Sequence, residues 1–215
     1  MIGLPLVGAL VVLACGEDTS TSEDRVPLPA RGETDAKSDV VTPRESGVDA
    51  SDAAADVDAG TSLRVFVTST TGNARIGGVA GADKICTARA NEAKLGGTFV
   101  AWLSGNMGPD AADRVTAAGP WRLPSGEIVA QTKLALLGAT LQHAIDHDEN
   151  GAPVAASKVW TGTGPNGHFL TNDCDTWTTG SNGRVGMSDE VGAAWTSADV
   201  DDCDALRRLY CFQVQ

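Results

Sequence analysis

The chain has 215 residues, 42% of them apolar, and a formal charge of −12. That is enough apolar material for one ordinary core plus tails. The acidic balance argues against nucleic acid or an anionic membrane face as a partner, since either needs a positive surface that releases counterions.

Taken in chain order, residues 1–14 form an apolar run that ends at Cys15. The run is shorter than the roughly 20 residues a helix needs to cross a bilayer, so it reads as a signal peptide. Val12-Leu13-Ala14-Cys15 resembles a bacterial lipobox, in which the cysteine takes lipid and becomes the new amino terminus. The expectation is therefore a membrane partner through lipid on Cys15. Gly16 follows the cysteine where Asp would be a retention signal, so the outer membrane or cell surface is the expected place, with a secreted or periplasmic protein as the alternative. Setting Cys15 aside leaves Cys86, Cys174, Cys203 and Cys211, an even set with three pairings open in an oxidising compartment. None of them forms a C-x2-C pair, which argues against zinc.

From Gly16 to Thr61 there are twelve acids against four bases and no aromatic residue. Such a segment cannot bury enough apolar surface to offset its ordering entropy. With Cys15 it forms the second region, 15–61, expected to be a disordered acidic linker that holds a domain roughly 35–40 Å from its anchor.

The domain is expected over 62–215. Leu63 to Thr68 reads as a first strand. Ala80 to Leu95 places Ala82, Ile85, Cys86, Ala90 and Ala93 on one face of a helix that Gly96-Gly97 would stop. Phe99 to Ser104 reads as a strand with Trp102 in the core, Asp110 to Val115 as a short helix, and Pro124-Ser125-Gly126 as the turn of a hairpin. Leu134 to Ile145 fits a helix or a packed loop equally. Val159 to Cys211 holds two tryptophan-centred turns rich in Gly, Asn and Asp, loops to be pinned by buried rings and bridges. The last strand is expected over Leu206 to Gln213.

These residues carry a resemblance. Gly77 to Cys86 and Gly97 to Ser104, then Val159-Trp160-Thr161-Gly162, Pro165-Asn166-Gly167, Cys174-Asp175-Thr176-Trp177, and Cys203 with Tyr210-Cys211, are similar to the endostatin domain of collagens XV and XVIII. They are closer still to bacterial lipoprotein domains of unknown function with the same framework. The resemblance implies an α+β, C-type-lectin-like (endostatin-like) fold: a mixed sheet, two helices and long disulfide-stapled loops. It also implies nested bridges Cys86–Cys211 and Cys174–Cys203. The outer bridge agrees with a helix packed on the last strand. Zinc and heparin binding do not carry over, because no histidine precedes Leu63 and the net charge of the domain opposes a sulfated glycan.

No nucleophile elbow or equivalent signature accompanies His143, His147 and His168, so the chain is not expected to be an enzyme. Asp146-His147-Asp148-Glu149-Asn150-Gly151 has the D-x-D-x-N-G opening of a calcium loop, making Asp146, Asp148 and Asn150 candidate calcium ligands. The closing Glu of that motif would fall at Ser157. No other cofactor is expected. Two readings of function follow. In the first, the domain is a surface-anchored binding or adhesion module for a protein or glycan, with Trp160, Asn166, His168 and Trp177 accessible. In the second, it is a calcium-stabilised structural domain of the envelope with no soluble ligand, and the rings are buried.

Overall fold

The structure, a computed structural model, describes residues 62–215. The signal peptide, Cys15 and the acidic linker lie outside the described residues. The architecture is α+β, with four helices and two sheets among the described residues.

In chain order the first elements are β1 (Leu63–Val67), α1 (Gly78–Glu92), β2 (Phe99–Ala101), α2 (Ala111–Arg114), β3 (Trp121–Arg122), β4 (Ile128–Ala130) and α3 (Lys133–Leu137). There follow β5 (Lys158–Trp160), α4 (Cys174–Thr178), β6 (Asn182–Met187), a 3-10 turn over Ala193–Trp195, β7 (Asp199–Asp202) and β8 (Tyr210–Gln213). The larger sheet runs β2-β8-β1-β3-β4. It is mixed, because β1 pairs parallel with β3 and antiparallel with β8. The smaller sheet, β5-β6-β7, is antiparallel.

Both faces of the larger sheet are covered, so its central strands read as continuous apolar runs rather than alternating ones. Val65, Val67, Tyr210 and Phe212 face one apolar cluster with Trp102, Trp121 and Trp195. Phe66 and Cys211 face the other, beneath α1, with Trp160 and Trp177. Trp102 is fully buried, and its indole N–H donates to Thr196 Oγ1 at 2.8 Å.

The helix α1 lays Ala82, Cys86 and Ala90 on the sheet. Small side chains on that stripe let the helix approach closely enough for Cys86 to bridge Cys211 on the interior strand β8, with Cα atoms 5.4 Å apart. The second bridge, Cys174–Cys203, spans 29 residues. The nested pairing that the resemblance implied is thus the pairing in the structure. A polar knot ties the same helix to its neighbours: Asp83 Oδ1 accepts the Ala101 N–H at 2.8 Å and pairs with Arg114, whose other nitrogen donates to Ala101 O and Leu103 O.

Several boundaries differ from expectation. The helix α1 begins at Gly78 and ends at Glu92, and Lys94 at φ 59° makes the left-handed turn assigned to Gly96-Gly97. The expected terminal strand is ordered only from Tyr210, because Arg207 bridges Gly72 and Arg208 bridges Val159 instead. Two helices become four. The undecided stretch after Leu134 is one turn capped by Thr132, whose hydroxyl accepts from Ala135 N, followed by loop. The fourth, α4, has left-handed φ from Cys174 through Trp177, which no propensity argument selects.

Candidate functional site

The two tryptophan turns fold onto each other in the apolar cluster beneath α1. Trp160 and Trp177 meet edge to face, centroids 5.9 Å apart. The Trp160 N–H donates to Gly72 O at 3.1 Å and the Trp177 N–H to Ser104 O at 2.8 Å. Glycine is required beside them. A Cβ on Gly162, at φ +58°, would lie 2.3 Å from Ser104 O, and one on Gly183 would lie 2.7 Å from Cys174 Sγ and 2.8 Å from the Trp160 ring. Both rings are buried, at 1% and 0% exposure. The expectation of accessible Trp160 and Trp177 is therefore corrected: satisfied indole N–H groups and close ring contact make them supports of the loops rather than platforms for a ligand. Asn166 and His168 are exposed. His168 Nδ1 lies 2.8 Å from Asp110 Oδ2, Asp110 Oδ1 accepts the Phe169 N–H, and Asn166 Oδ1 accepts the His168 N–H.

The half-motif for calcium is an Asx turn. Asp148 Oδ1 accepts the Asn150 and Ala152 N–H groups at 2.9 and 3.0 Å. Asp146 Oδ1 faces His147 Nδ1 at 2.7 Å, and Glu149 turns away to accept the Ser69 N–H and hydroxyl. Among the described residues no three His, Cys, Asp or Glu side chains group as a metal site. Both buried carboxylates of the loop are thus held within the protein, Asp148 by the backbone N–H groups of its own turn and Glu149 by Ser69.

What the turns do build is a cleft. The segment after β1 is held in place by Thr68, whose hydroxyl accepts the Leu209 N–H, by the Glu149 contacts and by the Gly72–Arg207 bridge. Between this segment and α1 opens a cleft of about 270 Å³, with Ile76, Ile85, Leu209 and the edge of Trp160 as apolar walls and Thr70 and Asn73 at its rim. A shallower hollow of about 210 Å³ lies between Met107 and the edge of Trp177.

A third concavity, about 280 Å³, shares Thr71 and Arg207 with the first and adds Ser157, Lys158, Leu206 and Arg208. Lys158 Nζ lies 3.0 Å from Asp199 and 3.4 Å from Asp201, and Asp201 also holds Arg207. The bond to Asp199 raises the Lys158 pKa against the opposing effect of burial. For Asp201 burial pushes the pKa up, but the hydrogen bond and charge of Arg207 outweigh it and leave the group lowered. The sequence reading passed over this cluster. Its signal was Asp199 and Asp201 alternating on one strand and Arg207-Arg208 in the closing run; the β5-β6-β7 sheet brings the two carboxylates to Lys158, and the bridge of Arg208 to Val159 brings the arginines.

These features define a disulfide-bridged α+β domain whose loops are pinned on buried tryptophans beside an open, largely apolar cleft. Residues 69–193, more than half of the chain, match the family described as Protein of unknown function (DUF1554), and the chain belongs to that family. No curated protein matches it. Among the described residues no helix is long and apolar enough to cross a membrane.

Proposed function

We propose that this chain is a lipoprotein, held at a bacterial outer membrane or cell surface by lipid on Cys15, whose endostatin-like, C-type-lectin-like domain binds a protein or glycan and catalyses no reaction. The observation that carries the reading is the cleft of about 270 Å³ beside Trp160. Its apolar walls and hydroxyl rim are the usual make-up of a binding site, and its backbone is fixed in advance. Support for an extracytoplasmic place comes from the two disulfides, which persist in oxidising compartments. The binding role moves from the tryptophan faces to the cleft they hold open.

The test uses the full chain on glycan and peptide arrays, with Ala88→Trp as the control. Ala88 is an exposed residue of α1 that lines the cleft, so an indole there fills the space without entering the core. Binding that the variant abolishes, with unchanged thermal unfolding, supports the proposal; ligands that bind both forms equally refute it. The burial of Trp160 and Trp177 favours the second reading, a structural envelope domain, and a chain silent on both arrays would choose that reading.

A further inference from the structure

We infer that the concavity walled by Lys158, Leu206 and Arg208 is a binding site for the single carboxylate of a small apolar acid, with the Arg208 guanidinium as the anion contact. The site stands whether or not the cleft beside Trp160 takes a ligand.

Three cations meet there, and two of them are already matched. Lys158 is paired with Asp199 and Asp201, and Arg207 with Asp201. Arg208 differs. Its Nη1 donates to the carbonyls of Thr68 and Ser69, its Nε is buried without a partner, and among the described residues no carboxylate pairs with it. Glu149, which reaches the same segment, uses both oxygens on Ser69. Two carbonyls therefore fix the plane of a half-buried guanidinium that, among the described residues, has no carboxylate in contact.

An unmatched, partly desolvated arginine favours an anion, and with Nη1 held by two carbonyls and Nε buried, Nη2 is the nitrogen left to donate to one carboxylate oxygen. The count of charges sets the class. Three cations against the two carboxylates that pair with them leave one net positive charge at the concavity, which Glu149, held on Ser69, reduces further; that suits a monoanion, because phosphate or a polysulfated chain would meet stronger repulsion from the same carboxylates. The size agrees: about 280 Å³ lies just below the range of sites for drug-sized ligands, which leaves room for a small acid only. Leu206, 59% exposed at the rim, and Ala156 offer apolar contact beside the charge.

The experiment is a titration of the ¹⁵N-labelled full chain with N-acetyl-leucine, with N-acetyl-leucinamide, with glucuronate and with inorganic phosphate. The expected result is saturable, millimolar binding of N-acetyl-leucine that shifts the Arg208 side-chain N–H and the amides of Ser157 and Leu206. The uncharged amide should leave those signals in place, and phosphate should bind about tenfold more weakly or not at all. Glucuronate shifting the same signals would assign the carboxylate to an acidic sugar as well; if it does not, the ligand is a peptide-like acid. Arg208→Gln should weaken binding about tenfold or more. Because Arg208 also holds the Thr68 and Ser69 carbonyls, Leu206→Glu gives a second variant: it brings a carboxylate to the rim from an exposed position and should compete to the same extent. Equal shifts from the acid and its amide, phosphate binding as tightly as the acid, or full affinity in Leu206→Glu would each overturn the inference.

Discussion

Replacing Cys86 and Cys211 together with alanine should cost far more than replacing Cys174 and Cys203, and in a different way. The outer bridge closes 125 residues and the inner one 29. With the inner bridge intact the outer loop is effectively 125 less 29, or 96, residues long. In the chain-entropy model the outer bridge then restricts the unfolded state by about 4.7 kcal/mol and the inner by about 3.6 kcal/mol. The native-state terms widen the gap. Cys86 and Cys211 are fully buried between α1 and β8, so loss of the outer bridge also loosens that packing. Cys174 instead begins the run of left-handed residues through Trp177, each of which costs about 1–2 kcal/mol, and breaking the inner bridge lets that strain relax. The outer variant should lower the midpoint of thermal unfolding by about 10–20 °C at roughly 2–4 °C per kcal/mol. The inner variant should lose less and unfold locally: hydrogen exchange should quicken at Ile76 and Gly77, whose amides donate to Trp177 O, while Val65 to Val67 stay protected. An outer variant that loses no more than the inner one, or an inner variant that exposes the β1 amides equally, would show that the bridges do not divide the domain in this way.

Gly183→Ala should destabilise the domain by about 1–3 kcal/mol in urea, because its Cβ meets Cys174 Sγ and the Trp160 ring, neither of which can retreat; a neutral result would mean that the two tryptophan turns are loosely packed. Asp201→Asn should cost about 1–2 kcal/mol near neutral pH by unpairing Arg207 and Lys158. The Asp201 pKa is lowered in the folded state, so its contribution is complete above the unfolded value of about 3.9 and fades as the pH falls through the folded one; the variant should therefore show a flatter loss of stability below about pH 4. Cys15→Ser should release the chain from the membrane fraction, and continued sedimentation with membranes would remove the lipid anchor. Limited proteolysis should leave a stable core that starts near Ser62; a stable fragment starting well before Asp49 would count against an unstructured linker.

What the sequence shows of the fold follows from which interactions are local. The strand β1, the stripe of α1 and the hairpin around Pro124-Ser125-Gly126 are set by periodicity and turn residues within a few positions, and all three are where they were expected. The end of the chain is different. Leu206 to Leu209 has the composition of a strand, yet Arg207 pairs with Gly72 and Arg208 with Val159. A choice among distant partners is written in no local pattern. The same holds for α4, whose left-handed turns persist because Trp177 is buried and Cys174 is bridged, both long-range facts.

The site was harder to read for a related reason. Tryptophan, histidine and an Asp-rich turn are the residues that announce function in a list of letters, and here Trp160, Trp177 and Asp148 are spent on holding loops: each has its polar group satisfied by backbone, at Gly72, at Ser104, and at Asn150 with Ala152. Once those donors and acceptors are accounted for, chemistry is left where accounting fails to close. Arg208, with a buried Nε that finds no partner and a charge that finds no carboxylate among the described residues, is such a place. It stands in a pair of arginines of like exposure, and what separates the two is a distant partner and not the letter: Asp201 neutralises Arg207, while Arg208 turns to the carbonyls of Thr68 and Ser69.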